Sequence, residues 1–444
     1  MKTFSAVGIS LVAALALVSV GCGDDDADDT SGAGANGSGA GGPGSGPGAG
    51  PGGGGTGGSE LSGDITTDTT LTAANGPYLL QGKVAVQDGA VLTIEPGTVI
   101  QGEAATQGTL VIKRGARIEA AGTADAPIVF TSELPPGQQA AGDWGGLIIL
   151  GRAPITDAPG ITEKLIEGLS AADGELYGGS DPADNSGTLQ YVRIEFSGVD
   201  LGNGNEINGL TLGAVGNGTT IDHVMVRNTL DDGFEWFGGT VNATHLIAFN
   251  AGDDYFDADE GYVGNLQFLF GISNTPLSED PNGFEMDSKT DNTDVARDTA
   301  PTIWNVTLCG PSGGTDTGFG MVLREGFKGA INNAIVDGFD AGLSIRVEAG
   351  ETNATDPSLD FSSINSGTLV DSGFAVPSQD VFDTGTMNDE TDAMLSSCLG
   401  AAPDGVPPAD LAGGTPPSGF DASATYRGAF SASNDWATGA WVVY

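Results

Sequence analysis

The sequence predicts an all-β chain that folds as a parallel β-helix, a solenoid of stacked coils. The first observation is an apolar-x-apolar pattern whose first position recurs at residues 210, 234, 256, 284, 319 and 343, with spacings of 24, 22, 28, 35 and 24. Repeats of this length are typical of solenoids, in which each unit packs on the previous one. The alternation makes each unit a strand whose middle residue points away from the core.

A second repeat supports the same coil length. Six segments share the template apolar, two residues, apolar, one residue, apolar, and their third position reads Tyr191, His223, His245, Asn265, Asn305 and Asn333. The three-residue offset breaks strand alternation, so we expect a tight bend there. Asn and His tolerate a left-handed backbone better than most residues. For the two histidines of the chain, this pattern favours a bend over a metal-binding or catalytic role.

The amino terminus has the features of an export signal. Residues 4–20 are almost wholly apolar and end in Ser19-Val20-Gly21-Cys22, which resembles a bacterial lipobox. We therefore expect residues 1–22 to form a lipoprotein signal peptide with Cys22 as the lipidated residue. Residues 23–60 begin with an acidic run and continue as a Gly/Ser/Pro-rich linker that cannot bury a core. The acidic run is either a surface-export signal or a solvated tether.

Composition limits the partners. The chain has 59 acidic and 15 basic residues and a net charge of −44, which argues against nucleic acid and anionic lipid surfaces as partners. Besides Cys22, the chain has Cys309 and Cys398, which either pair in an oxidising compartment or remain two buried thiols.

The pattern divides the rest of the chain into two parts. We expect the β-helix domain over residues 61–350 and an irregular capping region over residues 351–444. Residues 151–188 lose the period and predict an excursion, with a short helix near Glu163 to Leu169. Polar insertions are expected at residues 271–281 and 287–301, and inserted loops often carry specificity.

Several long strings resemble one protein family. They are residues 142–151, residues 181–187 leading into 191–196, residues 205–213 and residues 231–241. They resemble a family of bacterial secreted lipoproteins with a right-handed parallel β-helix of the pectate-lyase-like architecture. This resemblance implies the fold, whereas fold alone does not determine chemistry.

The candidate site is a column of carboxylates. Three of the repeated units carry an acid at their middle position, Glu235, Asp257 and Glu285, and strands about 4.8 Å apart would stack these side chains on the outside of the coils. Asp259 and Asp287 would form a second outward column, with Asp232 and Asp254 beside it. Stacked like charges repel unless they are protonated or share a cation, and calcium prefers carboxylate oxygens. The column therefore predicts a calcium site, with a solvated acidic face and catalytic carboxylates as the alternatives.

These observations favour a binding or structural role over catalysis. We expect a lipid-anchored protein of the bacterial outer membrane, surface-exposed or facing inward, that binds a polysaccharide or a protein ligand. The alternative is a calcium-dependent polysaccharide lyase or a glycoside hydrolase. A lyase needs a basic residue near the acids, and Arg324 follows the coil of Glu285, although an ion pair with an acidic neighbour is the simpler interpretation.

Overall fold

The computed structural model describes residues 59–444, except 157–159, 170–174, 202–204, 275–281, 289–296, 311–317, 348–353, 396–397 and 399–404. The expected signal peptide, its lipidated Cys22 and nearly all of the linker lie outside the described residues, as do parts of both polar insertions. Within the described part of the chain, no helical segment combines the length and the hydropathy of a membrane span.

The described chain is built almost entirely of short strands. The strands are β1 (Ser59–Ile65), β2 (Thr69–Leu71), β3 (Tyr78–Val86), β4 (Val91–Ile94), β5 (Val99–Gly102), β6 (Thr109–Ile112), β7 (Arg117–Ala121), β8 (Ile128–Ser132), β9 (Gly146–Leu150), β10 (Lys164–Leu165), β11 (Leu176–Tyr177), β12 (Gly187–Glu195), β13 (Val199–Asp200), β14 (Glu206–Ile207), β15 (Leu210–Gly213), β16 (Thr220–Arg227), β17 (Phe234–Phe237), β18 (Asn242–Phe249), β19 (Phe256–Asp259), β20 (Asn265–Ile272), β21 (Phe284–Met286), β22 (Thr302–Cys309), β23 (Met321–Leu323), β24 (Ala330–Asp337), β25 (Ala341–Ile345), β26 (Ser358–Asp360), β27 (Ser363–Asn365) and β28 (Thr368–Val370). Two 3₁₀ turns, Ala73–Asn75 and Ala104–Thr106, and one α-helix, α1 (Ala375–Thr384), complete the described elements.

The strands wind into a parallel β-helix, which confirms the predicted fold. In each central coil a short strand pairs in parallel with the short strands of the coils before and after it, and β9, β15, β17, β19, β21, β23 and β25 together form face A. The long strands β12, β16, β18, β20, β22 and β24 also pair in parallel. A bend divides each of them into a first half, which lies on face B, and a second half, which lies on face C.

The bends lie at the third position of the second repeat, as predicted, except in one coil. Tyr191, His223, His245, Asn305 and Asn333 all have φ between 50° and 56°. In the coil of β20 the left-handed residue is Phe268 (φ 61°) rather than Asn265, because Leu266 pairs with Ala243 and Phe268 therefore occupies the position of His245. The Phe268 ring stacks on the His245 ring, with centroids 4.8 Å apart.

The interior is a continuous apolar column. Phe234 stacks on Phe256 with ring centroids 5.4 Å apart, and Phe256 contacts Phe284 edge-on at 5.8 Å. Trp236 is fully buried beside them, so it belongs to the core rather than to a binding surface. Because equivalent positions of successive coils meet, one apolar alternation in the sequence builds the whole core.

A segment between β9 and β15 covers the outside of face A. The cover segment is defined as the described residues of 151–186 and 196–208, and it forms two antiparallel hairpins, β10–β11 and β13–β14. The expected helix near Glu163 to Leu169 is therefore wrong. Ile166 and Tyr177 are buried against the outward side chains of face A in a second apolar cluster, so strand alternation rather than a helical period sets their burial.

The coils continue past residue 350. β26 and β27 pair with β24, β28 pairs with β25, and α1 then packs on the last coil, where the Ser378 hydroxyl accepts a hydrogen bond from the Ile345 N–H. The rest of the C-terminal region runs back along the outside of face C. The Asn305 and Asn333 side-chain amides donate hydrogen bonds to its backbone, to Tyr426 at 2.7 Å and to Gly414 at 3.0 Å.

A disulfide joins this returning segment to the coils. Cys309 at the end of β22 is bonded to Cys398, with a Cα–Cα distance of 5.5 Å and a sequence separation of 89. Of the two states left open by the sequence, the structure therefore has the paired one.

Reduction of this disulfide should destabilise the protein, because the bond limits the conformations of the unfolded chain. For a loop of this length the effect is at most about 5 kcal/mol. We expect dithiothreitol to lower the melting temperature measured by circular dichroism. The variant C309S/C398S should melt lower from the outset and should not respond to dithiothreitol. An equal response in both proteins would contradict the assignment.

Candidate metal centre

The strand register stacks the three predicted acids. Glu235 of β17 pairs with Asp257 of β19, and Asp257 pairs with Glu285 of β21. Their strand neighbours Phe234 and Trp236 point into the core, so the carboxylates project from the outer side of face A, as the alternation predicts. Asp259 follows two positions later on the same side of β19.

A second polar column precedes these strands. The side-chain oxygen of each member accepts the backbone N–H of the next coil: Asp232 Oδ1 from Asp254 at 2.9 Å, Asp254 Oδ1 from Asn282 at 2.9 Å, and Asn282 Oδ1 from Phe319 at 3.1 Å. Asn282 makes this contact without a charge. The hydrogen-bond ladder therefore explains a polar side chain at these positions, but not the carboxylates of Asp232 and Asp254.

The acids are largely buried, which argues against the alternative of a solvated acidic face. The exposed fractions are 7% for Glu235, 6% for Asp232 and 3% for Asp254. Asp257, Asp259 and Glu285 are half-buried, and Asp287 is buried. The cause is the cover segment, which brings the Glu167 carboxyl into hydrogen-bonding contact with Glu235 and the Asn208 amide into a hydrogen bond with the same carboxylate.

Two groups of carboxylates share one member. One oxygen from each of Asp232, Glu235 and Asp257 lies within 4.8 Å of the other two, and the same holds for Asp254, Asp257 and Glu285. We call these five residues the acidic centre, with Asp257 common to both triads. A further triad, Asp231, Asp232 and Asp253, extends it toward solvent.

Burial and mutual repulsion make these groups hard to ionise. Burial first, and then the neighbouring carboxylates, raise the pKa of Asp232, Glu235, Asp254, Asp257 and Asp259 well above their ordinary values. At the edges of the cluster, burial and acidic neighbours raise the pKa of Glu167 to about 7 and that of Asp231 to about 8. Burial raises the pKa of Asp287 to about 6, while the nearby Arg324 partly offsets that rise.

Two basic residues border the acids. The Arg324 guanidinium forms ion pairs with Glu285 and, at 3.5 Å from Nε to Oδ2, with Asp287. Lys164 of the cover segment pairs with Glu260, which also accepts a hydrogen bond from the Tyr177 hydroxyl. Burial opposes the charged form of Arg324, but the carboxylates of Glu285 and Asp287 outweigh burial and raise the pKa of the guanidinium above its ordinary value. The ion-pair interpretation of Arg324 is therefore confirmed, and a group held in its charged form cannot readily act as a base.

Some oxygens of the cluster have no protein partner. Among the described residues, the buried atoms Asp257 Oδ1, Asp259 Oδ1 and Asn208 Oδ1 accept no hydrogen bond. Asn208 is 1% exposed, so solvent does not readily compensate for the missing contact. A cation among these oxygens would satisfy them, and six to eight oxygens at flexible geometry are what calcium binds.

Two residues of this site do not follow from the acidic repeat. Glu167 comes from the cover segment, and no local pattern indicates that it would reach Glu235. Asn208 could have been found, because it precedes Gly209-Leu210 as Asp232 precedes Gly233-Phe234. Aligning the repeat one position earlier would have placed it in the polar column.

The histidines form a separate cluster that suits a bend better than a metal. His223 Nδ1 and His245 Nδ1 lie 2.7 Å and 2.9 Å from the same oxygen of Asp222. Their rings stack with centroids 4.2 Å apart and planes inclined by 19°. Both Nδ1 atoms are thus engaged with a protein carboxylate, and both residues have the left-handed backbone of the bend. Although burial opposes it, hydrogen bonds from both rings lower the pKa of Asp222.

The raised pKa values predict a pH-dependent stability. In the unfolded chain these carboxyls have pKa values near 4, so the folded protein binds their protons more tightly. With chelator present, the free energy of unfolding should fall as pH rises from about 4 to about 8. Urea titrations across this range measure the slope.

The variant E167Q supplies the control, because its amide carries no titratable proton. Its slope between pH 4 and pH 8 should be shallower than that of the parent protein. The exposed-site variant D125N should keep the parent slope. A slope unaffected by E167Q would show that general charge repulsion, rather than this cluster, causes the pH dependence.

Comparison with known proteins agrees with the architecture. Residues 63–400 match the family model described as a pectate-lyase-like β-helix domain. No curated protein and no solved structure gave a significant match. The matched range spans most of the parallel coils and the acidic centre, and the chain therefore belongs to the pectate-lyase-like β-helix domain family.

Proposed function

We propose that the acidic centre binds a divalent cation, calcium being the best fit, and that the bound cation stabilises the cover segment on face A. The observation that carries this proposal is the sharing of Asp257 between two carboxylate triads. Carboxylates at this density remain protonated unless a cation neutralises their negative charge. The unpartnered oxygens of Asp257 and Asn208 add neutral and charged ligands of the hard type that calcium prefers.

The domain then serves as a binding or structural module, with an acidic polysaccharide as its ligand class. A cation held at the solvent-facing triad of Asp231, Asp232 and Asp253, with a free coordination position, can bridge these carboxylates to a carboxylate or sulfate group of a glycan. Direct binding of such a polymer would be opposed by the protein's net charge of −44. The cation reduces the local negative charge and thereby lowers this barrier.

A second candidate function is calcium-dependent lysis or hydrolysis of a polysaccharide. Family membership favours it, since the family is named for a lyase. Against it stands Arg324, which is paired with Glu285 and Asp287 and is held protonated. For hydrolysis, the neighbouring acids Glu235 and Asp257 have a spacing suited to retention, but burial and acidic neighbours raise the pKa of both, which opposes the ionised form that a nucleophile needs. Release of unsaturated or reducing ends from acidic polysaccharides would favour catalysis over binding.

Calcium should raise the thermal stability of the purified protein. We expect the melting temperature to rise by several degrees in millimolar calcium and to return in excess chelator, because only the folded state assembles the triads. The variant E235Q/D257N/E285Q should lose the response.

A matched triple variant separates the site from the overall charge. E60Q/E95Q/D125N removes three carboxylates at exposed positions and should retain the full calcium response. The absence of any shift with calcium would overturn the cation proposal and leave the acids as a proton-sharing cluster.

We also propose that Cys22 carries a lipid that anchors the protein to the bacterial outer membrane, which the resemblance of Ser19 to Cys22 to a lipobox supports. One or two acyl chains, together with the attached diglyceride, would hold the protein at the membrane while the linker separates the β-helix from it.

Substitution of the anchor should release the protein. C22A should move the protein from the detergent phase to the aqueous phase in Triton X-114 partition of whole-cell extracts. It should also abolish labelling with palmitate. The variant C398S, which changes another cysteine, should leave both readouts unchanged. Labelling that persists in C22A would contradict the assignment.

A further inference from the structure

A separate groove lies on the outside of face B, away from the acidic centre. It has a volume of about 560 Å³ and is bounded on one side by the first halves of β16, β18 and β20 and on the other by the C-terminal region at residues 419–421 and 434. Its size is within the range of sites for small ligands.

The strand side presents two polar rows at the coil spacing. The first row contains Thr220, Asn242 and Asn265, and the second contains Asp222, Thr244 and Gln267. Successive members are about 4.8 Å apart, because each comes from the next coil. The rows therefore offer hydroxyl, amide and carboxylate groups at a regular interval.

The opposite wall is fixed before any ligand binds. The Asp421 N–H donates a hydrogen bond to Gln267 Oε1 at 2.8 Å, and Gln267 Nε2 donates to the Asp421 carbonyl at 3.3 Å and to Asn305 Oδ1 at 3.0 Å. This contact ties the C-terminal region to β20. A preformed site loses less conformational entropy on binding than one that must be ordered.

Polar groups remain available inside the groove. Among the described residues, the side-chain amides of Asn265 and Asn434 make no hydrogen bond to protein, and Asn242 uses only its oxygen, which accepts the Asn265 N–H at 2.9 Å. The Asp421 carboxylate accepts from Ser423 through Oδ1 at 2.6 Å. These groups can donate to and accept from hydroxyls of a ligand.

An aromatic side chain stands beside these polar groups. Phe420 is half-buried in the groove wall, and its ring centroid lies 6.3 Å from that of Trp304. Trp304 is 8% exposed, and its indole N–H has no hydrogen-bond partner among the described residues. A ring flanked by hydrogen-bonding groups is the combination that recognises the two faces of a sugar, one apolar and one polar.

The charge of the groove selects among sugars. Its lining contains the carboxylates of Asp222 and Asp421 but neither lysine nor arginine. An anionic glycan would meet repulsion from these two carboxylates, and no lysine or arginine of the lining would offset it. We propose that this groove binds a neutral oligosaccharide, at a site independent of calcium and of the acidic centre.

The test is isothermal titration calorimetry of the full-length protein in detergent with four neutral probes: cellohexaose, xylohexaose, mannohexaose and chitohexaose. At least one should bind, with an affinity unchanged by chelator. T220W fills the groove from an exposed strand position that favours large β-forming residues, and it should weaken binding at least tenfold while leaving the melting temperature unchanged. F420A removes the ring and should weaken binding comparably.

Two controls separate this site from the acidic centre. D257N should bind the neutral probe as tightly as the parent protein does, and oligogalacturonate should not compete with that probe. Failure of all four probes to bind at millimolar concentration would overturn the proposal. So would a neutral probe whose affinity T220W leaves unchanged. Loss of the calcium response in D257N with normal binding of the neutral probe would support both sites separately.

Discussion

The alignment of equivalent positions in successive coils is the constraint on which the rest of the molecule depends. Parallel pairing places residue after residue directly above its counterpart, so a property repeated in sequence becomes a continuous column in space. Phenylalanines repeated at the interior position make the core, while acids repeated one residue later make the acidic centre. The same register that stabilises the chain through apolar contact therefore also brings like charges together.

The fold could be predicted because this register is local in sequence. Spacing and alternation suffice to place Glu235, Asp257 and Glu285 in one column. The three-residue offset in the second repeat suffices to place both histidines at bends. The bend position was predicted wrongly in the coil of β20, where two alignments satisfy the same apolar pattern. The template can begin at Val263 or at Leu266, and the observed pairing of Leu266 with Ala243 shows that it begins at Leu266. Contacts made across the outside of the coils, such as Glu167 on Glu235 or Asp421 on Gln267, carry no periodic signal and could not be anticipated.

The cover segment changes the chemistry of the column more than the column's own residues do. On an open coil, stacked carboxylates would be hydrated and would ionise near their usual pKa. The hairpins of the cover segment exclude water from Glu235 and add further acids, and they also supply Lys164, which pairs with Glu260. Attachment of that segment and neutralisation of the acids are therefore coupled, since detaching the hairpins would rehydrate the carboxylates.

The acid column is also finite. Thr211 precedes Glu235 and Val322 follows Glu285 in the same register, and neither carries a charge. Three coils span only about 10 Å between the outermost acids. Because the cover segment shields Glu235, a polymer could meet the column only at its solvent-facing edge, over about 10 Å at most, so lengthening the polymer adds no further contacts within one molecule. Strong attachment to a long chain would then require many copies of the protein bound along it, which makes surface density, rather than single-site affinity, the variable that sets retention.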